Sequence, residues 1–348
     1  MTPPTVAVVI PAWDDDPWLE RSVDSILAST GVDAAAIVVD NGNDAATIDR
    51  LAARPRVTVV RPGTNLGFAG GCNAGAAATG PTCDFVAFLN QDALLDPGAL
   101  AALVEVASRP DVGIASASVR LADDPALMNS AGNPVHFLGF CWAGGYGEPV
   151  ADHLTETDIA SAAGTAMVMR RDVWDSLGGF AEEYFAYHED TELSARVRQR
   201  GLRILYVPTA VVTHRYHFSR NPAKWYLLER NRLAFVLTTS ERRTLLLLAP
   251  AALAVEVGML LVAARAGWLG PKVRGWVWLV RHRRWLGERR RRLQAERVVG
   301  DRALAPLLAT RFDAANMGIP GWVGPLDAGL SAYWWLARRM LPRKGPLA

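Results

Sequence analysis

Residues 6–16 read VAVVIPAWDDD. An apolar, β-branched run of strand length ends abruptly in three aspartates, which is the signature of a buried strand emptying into a polar turn. The pattern recurs along the chain. AIVVD at 36–40 leads into Asn41–Asn43, VTVV at 57–60 into a Gly-rich turn, and FVAFLN at 85–90 into Gln91 and Asp92; VGIASASV at 112–119 is a fifth strand. Helical patterns separate these runs. Asp16 offers an N-cap and Pro17 suits the first helical position, with Leu19, Val23, Ile26 and Leu27 on one face. Further helices are expected near 45–53, 69–79 and 97–108. Continuous apolar strands alternating with helices define an α/β class: a mixed, mostly parallel sheet covered by helices on both faces. Ligands of such sheets bind beyond the carboxyl ends of the strands. The acidic turns Trp13–Asp16, Asp40–Asn43 and Asn90–Asp92 are therefore expected to converge on one edge.

The stretch 120–160 is weakly patterned and reads as an irregular insertion or an acceptor-side loop. SAAGTAMVMRR at 161–171 is expected as a strand, HEDTELSARVRQRG at 188–201 as a helix ended by Gly201, and 204–208 and 210–214 as two closing strands.

The 348 residues fit a core domain of about 200 residues with an appended segment. Cys72, Cys83 and Cys141 show no CxxC spacing, so neither a disulfide framework nor a zinc site is suggested, and a reducing cytoplasm is expected. The N-terminal MTPPTVAVVIPAW lacks the basic region and long apolar run of a secretory signal. A net charge of +2 hides an asymmetry: from Lys224 onward there are 22 Lys and Arg against 8 Asp and Glu, a net of +14 that leaves −12 for the rest. Eight of the twelve tryptophans also lie from Trp225 onward. Residues 244–264 are nearly all apolar and long enough to cross a bilayer, although they contain Pro250 and Glu256. A second apolar-aromatic stretch near 319–337 carries Trp322, Trp334 and Trp335. The expected division is a catalytic-type domain over 1–240 and a helical, membrane-associating region over 241–348, since Trp and Arg suit the headgroup zone. Basic residues mixed with long apolar stretches argue against a nucleic-acid partner.

Several residues could carry chemistry, each with a plainer alternative. Asp92, after a buried strand, can hold a divalent cation; it can equally be a turn residue before LLDPG. His188, Glu189 and Asp190 open a helix, where the dipole favours acids anyway; a general base is the alternative. Asp40 can accept from a nucleobase imide N–H or make an Asx-turn. NLGFAGGCNAGA at 65–76 lets backbone approach a ligand closely through Gly67, Gly70 and Gly71, but it is not GxGxxG and lacks the P-loop Lys. His214 and His217 follow an apolar strand, where a structural role is the plainer reading; beside a carboxylate-held cation His214 can ligate it or contact phosphate. Arg215, Arg230 and Arg232 are candidate phosphate forks, solvation at the surface being the plainer reading of each.

Taken together, VAVVIPAWDDD, IVVDNGN, RPGTNLGFAGGCNAG, FLNQDALLDPGAL, the run from AAGTAMVMRR to AVVTH, and LLERNRLAF resemble glycosyltransferase family 2, and within it the rhamnosyltransferase-like members. The resemblance covers roughly residues 5–240 in order and spacing. It implies a GT-A fold and an inverting, non-processive transferase, because ERNRLAF stands where processive synthases carry QxxRW. It implies that Asp40 contacts the nucleobase of a dTDP- or UDP-linked sugar, with Pro11, Ala12, Trp13 and Asp14 lining the same pocket. Asn65, Gly67, Phe68 and Asn73 are carried over to the donor side, as are Asn90 and Gln91. Asp92 would be the surviving carboxylate of the DxD metal motif, here Asn90–Gln91–Asp92, holding Mg2+ or Mn2+ with help from His214. Asp190 of the Glu189–Asp190 pair would be the base. Gly164 and Thr165, with Arg230 and Asn231, would lie on the acceptor or phosphate side. The implied acceptor is a glycan or a polyprenyl-diphosphate-linked sugar, met at the cytoplasmic face of the membrane through peripheral or single-anchor attachment, in cell-envelope polysaccharide synthesis.

Rival readings are a nucleotidyltransferase, against which AWDDD stands where a Gly/Arg/Lys-rich loop belongs, and a non-catalytic sugar-nucleotide-binding module with a degenerate metal site. The altered Asn90 favours the latter; the intact Glu189–Asp190 pair opposes it.

Overall fold

A computed structural model describes residues 2–80, 83–216, 223–313 and 324–342. His217 and Trp322 lie outside the described residues. The chain forms two compact units. One comprises Met1–Asn133, Ala143–Val197 and Leu202–His217, the other Pro134–Trp142, Arg198–Gly201 and Phe218–Ala348.

The first unit is built on one sheet. Its elements are β1 (Thr5–Ala12), α1 (Leu19–Leu27), β2 (Asp33–Asp40), α2 (Ala45–Ala52), β3 (Val57–Val60), α3 (Gly67–Ala78), β4 (Phe85–Leu89), β5 (Ala93–Leu95), α4 (Ala99–Ala107), β6 (Val112–Leu121), β7 (Met128–Ser130), β8 (Thr157–Asp158), β9 (Ala166–Arg170), α5 (Arg171–Leu177), α6 (Glu189–Gln199) and β10 (Arg203–His214). The strand order is β3-β2-β1-β4-β9-β6-β10-β5. β3, β2, β1 and β4 run parallel, as do β6 and β10. β9 enters antiparallel between β4 and β6, and β5 runs antiparallel along β10. Hence the carboxyl ends of β1, β2, β4 and β10 and the amino end of β9 share one edge.

Side chains alternate along a strand, so β1 feeds two cores. Val6, Val8 and Ile10 join Leu19, Val23 and Ile26 of α1 and Leu100 and Leu103 of α4 on one face. Ala7 and Val9 join Ala69, Cys72 and Ala76 of α3 with Trp174, Phe180 and Leu193 on the other. α3 can lie that close because it carries Gly75: a Cβ there would stand 2.3 Å from Val9 Cγ1.

Some expectations shift. α1 starts at Leu19, not after an Asp16 cap. Asp16 instead accepts from Trp18 N–H at 2.9 Å in the preceding turn and is buried against Arg215. The strand expected over 161–171 is only Ala166–Arg170, because the backbone before it turns to serve other partners, and α5 follows directly. The two closing strands are one, β10, with its register broken between Val207 and Val211 where Pro208 cannot donate to the ladder.

The second unit is helical: α7 (Lys224–Thr239), α8 (Arg242–Arg265), α9 (Leu269–Arg281), α10 (Arg283–Glu296) and a helix Gly324–Ala337. Phe137, Leu138 and Phe140 pack with Leu248, Ala251 and Val255 of α8 and with Trp334. α7 groups here rather than with the sheet unit, unlike the division expected at 240/241. Buried ion pairs tie α7 to α8 and α9. Fully buried Lys272 of α9 binds Glu229 of α7 and, at 2.8 Å, Glu256 of α8; Arg232 of α7 pairs with both glutamates.

Candidate active site

Every acidic turn read from the sequence lies on the shared sheet edge, and a chain of hydrogen bonds connects them. Asp40 ends β2. Its Oδ1 accepts from Gly42 N–H, Asn43 N–H and Asn43 Nδ2 at 2.9–3.0 Å, so the Asx-turn is real, and its second oxygen is left for other partners. Burial pushes this carboxyl up, but Asn43, Gly42 and the charge of Arg61 outweigh it and hold it below its ordinary value. Asn43 Nδ2 also donates to Ala12 O at 2.8 Å, tying β2 to the end of β1. Pro11 and Ala12 are buried strand residues, while Trp13 and Asp14 lie exposed in the turn beyond. Asp14 and Asp15 both have positive φ, 63° and 44°.

Gln91 holds that turn. Its carboxamide accepts from Trp13 N–H and donates to Trp13 O, both at 2.5 Å. The middle residue of the altered Asn90–Gln91–Asp92 motif is therefore a clamp on the Trp13 turn.

Asp92 and His214 meet. His214 Nε2 is 3.2 Å from Asp92 Oδ1 and 3.3 Å from Asn90 Nδ2, and its Nδ1 is 2.8 Å from Asn129 Oδ1. When Nδ1 donates to Asn129, Nε2 presents its lone pair beside the carboxylate. Adjacent ligands of an octahedral cation, each at ~2.1 Å, lie about 3 Å apart, so the pair fits a shared Mg2+ or Mn2+. Among the described residues no group of three His, Cys, Asp or Glu could hold a metal ion, so a cation at this pair would need substrate oxygens and water as its other ligands. Asn129 comes from the weakly patterned stretch, and nothing in the sequence marked it.

Asp190 opens α6 and reaches the same edge. Its Oδ2 accepts from Gly164 N–H at 3.0 Å and Asn133 Nδ2 at 3.3 Å; its Oδ1 accepts from Thr191 N–H at 2.7 Å and the Thr191 hydroxyl at 3.2 Å. The next residue, Thr165, accepts from Asn90 N–H at 2.9 Å. Asp190 is thus bound through Gly164–Thr165 to the Asn90–Asp92 turn. Burial raises the Asp190 carboxyl above its ordinary value, against the hydrogen bonds from Gly164 and Thr191. Glu189 points elsewhere. It is 6% exposed, and its Oε2 has no hydrogen-bond partner among the described residues. Burial, then the Asp190 charge, push it well above the carboxylate range, and its field reaches the buried Cys72 thiol. Glu189 is therefore the buried half of the pair and Asp190 the half nearer the edge.

The Gly-rich motif departs from expectation. The close approach at Gly67 is to protein: a Cβ there would stand 2.4 Å from Phe185 O and 2.7 Å from its ring. Asn65 Oδ1 accepts from Gly67 N–H at 2.8 Å, and Phe68 packs edge-on to Phe180. Asn73 is fully engaged with the backbone of Phe180 and with Glu182. Asn41, which the sequence did not single out, binds Leu66 N–H and Gly67 O at 3.0 Å. Arg215 is not a free fork: it grips buried Asp16 at 2.7 and 2.8 Å. Arg230, Asn231 and Arg232 belong to the second unit. There Arg230 donates to Asn231 Oδ1 at 2.8 Å and stacks 4.5 Å over Trp278, and Arg232 is consumed by Glu229 and Glu256.

A parallel-rich sheet with one antiparallel strand inserted beside the DxD-like turn, and acidic turns gathered at its carboxyl edge, is the GT-A glycosyltransferase fold. It is shared with GalNAc-T7 solved with UDP, GalNAc and Mn2+ (TM-score 0.56, 15% identity, 68% of this chain and 48% of that one). It is shared also with a mannosyltransferase from Pyrobaculum calidifontis solved with GDP-Man and Mn2+ (TM-score 0.50, 18% identity, 98% and 87%). The chain belongs to the glycosyltransferase-like family 2, whose model matches residues 3–238. It is 28% identical over 245 residues to the N-acetylglucosaminyl-diphospho-decaprenol L-rhamnosyltransferase of Mycobacterium tuberculosis, covering 63% of this chain and 78% of the relative. The pre-mycofactocin glycosyltransferase of the same organism is 31% identical over 214 residues, covering 60% and 42%.

Proposed function

We propose that this glycosyltransferase moves one sugar from a dTDP- or UDP-linked donor onto a hydroxyl of a glycan or polyprenyl-diphosphate-linked acceptor, with inversion and with a divalent cation. The observation that carries the reading is the link from Asp190 through Gly164 and Thr165 to Asn90 and the Asp92–His214 pair. It supports reading Asp190 as a proton acceptor and Asp92 with His214 as a cation-holding pair on one edge. Asp40 and the Gln91-clamped Trp13 turn hold the nucleoside. Asp190, its basicity raised by burial, takes the acceptor proton as the hydroxyl oxygen attacks the anomeric carbon opposite the leaving group. A cation held by Asp92 and His214 would supply charge neutralisation for the departing diphosphate. A single displacement inverts the configuration and needs no covalent intermediate. The name of the M. tuberculosis relative favours L-rhamnose as the sugar and a membrane-borne diphosphate acceptor. The basic, Trp-rich 241–348 region suits attachment at the cytoplasmic membrane face.

The test is nucleotide release by the full-length protein with dTDP-rhamnose, UDP-galactofuranose and UDP-GlcNAc, with Mg2+ or Mn2+ and after EDTA. Release with one donor, abolished by EDTA, supports the reading. Undiminished activity in metal-free buffer removes the cation from it, and neither turnover nor donor-induced thermal stabilisation with any of the three overturns it.

A further inference from the structure

The apolar helix α8 has two unlike sides. One buries Thr244, Leu248, Ala251, Val255 and Ala263 within the second unit. The other exposes Leu246, Leu253, Val257 and Leu261 at 53–68%. That exposed stripe is about 24 Å long at ~1.5 Å per residue. The one charge inside it by sequence, Glu256, is turned away and bound by Arg232 and Lys272. α9 repeats the design, exposing Leu269, Val273, Val277 and Val280. Exposed arginines bracket both stripes: Arg242 and Arg243 open α8, Arg265 closes it, and Arg274, Arg281, Arg283 and Arg284 lie along and after α9.

A helix crossing a bilayer would carry its other side, with the Glu229–Arg232–Glu256–Lys272 cluster bound to it, into hydrocarbon, where charges are expensive. A helix lying in the interface keeps that cluster inside the protein, its apolar stripe in the acyl boundary and its arginines among phosphates. We infer that the second unit docks on an anionic bilayer with α8 lying along the surface, its Leu246–Leu261 stripe immersed, and that α8 does not cross. The inference rests on the membrane reading above for its partner, and on exposure and ion pairing for its geometry.

Full-length protein is added to preformed vesicles of phosphatidylcholine alone, or with phosphatidylglycerol, and floated. Binding should require the anionic lipid, and Leu253→Glu with Leu261→Glu should weaken it roughly tenfold per leucine. Both substitutions sit on the exposed side, so the fold persists. Single Arg243→Cys and Arg265→Cys variants, read against the parent's own cysteines, should both react with an impermeant maleimide outside sealed vesicles. Protection of one end until detergent is added shows crossing and overturns the inference. So does flotation indifferent to the glutamates, or a stable dimer in solution that ignores vesicles. Donor-induced thermal stabilisation of the L253E/L261E protein reads the transferase assignment separately, so the two can fail independently.

Discussion

Replacing Asp190 by Asn is ordinarily a clean way to remove a base while keeping its shape, and here it should not be clean. The carboxylate accepts a backbone N–H on each oxygen, Gly164 N–H on Oδ2 at 3.0 Å and Thr191 N–H on Oδ1 at 2.7 Å. An Asn amide offers one acceptor and one NH2 donor. Whichever way it is turned, the NH2 meets a backbone donor. One buried N–H loses its partner, at a cost of ~1–3 kcal/mol. Loss of the general base should lower kcat by ~10²–10⁴, which is about 3–5 kcal/mol of barrier.

Two readouts follow. Thermal melting at pH 8 should show Asp190→Asn to gain less stability than Glu189→Gln or to lose some, because the stranded N–H works against the relief of a buried charge, and nucleotide release under saturating donor and acceptor should show the fall in kcat. Donor affinity should persist, because Asp40 and the Trp13 turn are untouched. The parent's activity should fall as pH drops through a limb above the ordinary aspartate value, since burial raises the Asp190–Glu189 pair, and the variant should lack that limb. Turnover within threefold of the parent refutes the role as base. A gain as large as that of Glu189→Gln refutes the two-sided hydrogen bonding.

Glu189→Gln should raise apparent stability by a few degrees at pH 8 and by less near pH 4. A carboxyl raised in the folded state contributes stability below its unfolded pKa and loses it as pH climbs through the folded one, whereas Gln does not titrate; equal shifts at both pH values would count against the buried assignment. Lys272→Met strands Glu229 and Glu256 on Arg232 alone and should cost ~3–5 kcal/mol, partly recovered by adding Glu256→Gln. A loss under about 1 kcal/mol in urea titration would show that the cluster is not closed as described.

Most of the sheet was legible because its strands are continuous apolar runs, and period and burial coincide there. β1, β2, β3 and β4 lie where the runs lie. The site was legible where a residue's place follows from a strand's carboxyl end, as for Asp40 and Asp92. It was not legible where the role comes from a contact far along the chain. Asn129 and Asn133 sit in a stretch without periodicity, and only the fold sets them against His214 and Asp190, 85 and 57 positions away. Asp16 and Glu256 misled for the same reason. A cap and an interruption are what a local pattern can show, and their true partners, Arg215 and Lys272, are distant.

The Gly-rich motif carries that point into the chemistry. The three residues Phe185, Tyr187 and His188, just before the Glu189–Asp190 pair, have φ of 63°, 68° and 66°, values that side chains adopt at a cost of ~1–3 kcal/mol each. Such a loop persists only if its surroundings fix it. Ala69 N–H at the start of α3 donates to Phe185 O at 3.1 Å, Asn73 grips Phe180 and Glu182, and Asn41 holds Leu66 and Gly67 in place. The amino end of α3, which could cradle a phosphate, gives one of its donors to the loop that delivers Asp190. A side chain at position 67 would strike the Phe185 carbonyl, displace that loop, and move the carboxylate from Gly164. The glycine is therefore required by the position of Asp190, and the motif read as a donor cradle acts first as the mould of the loop that precedes it.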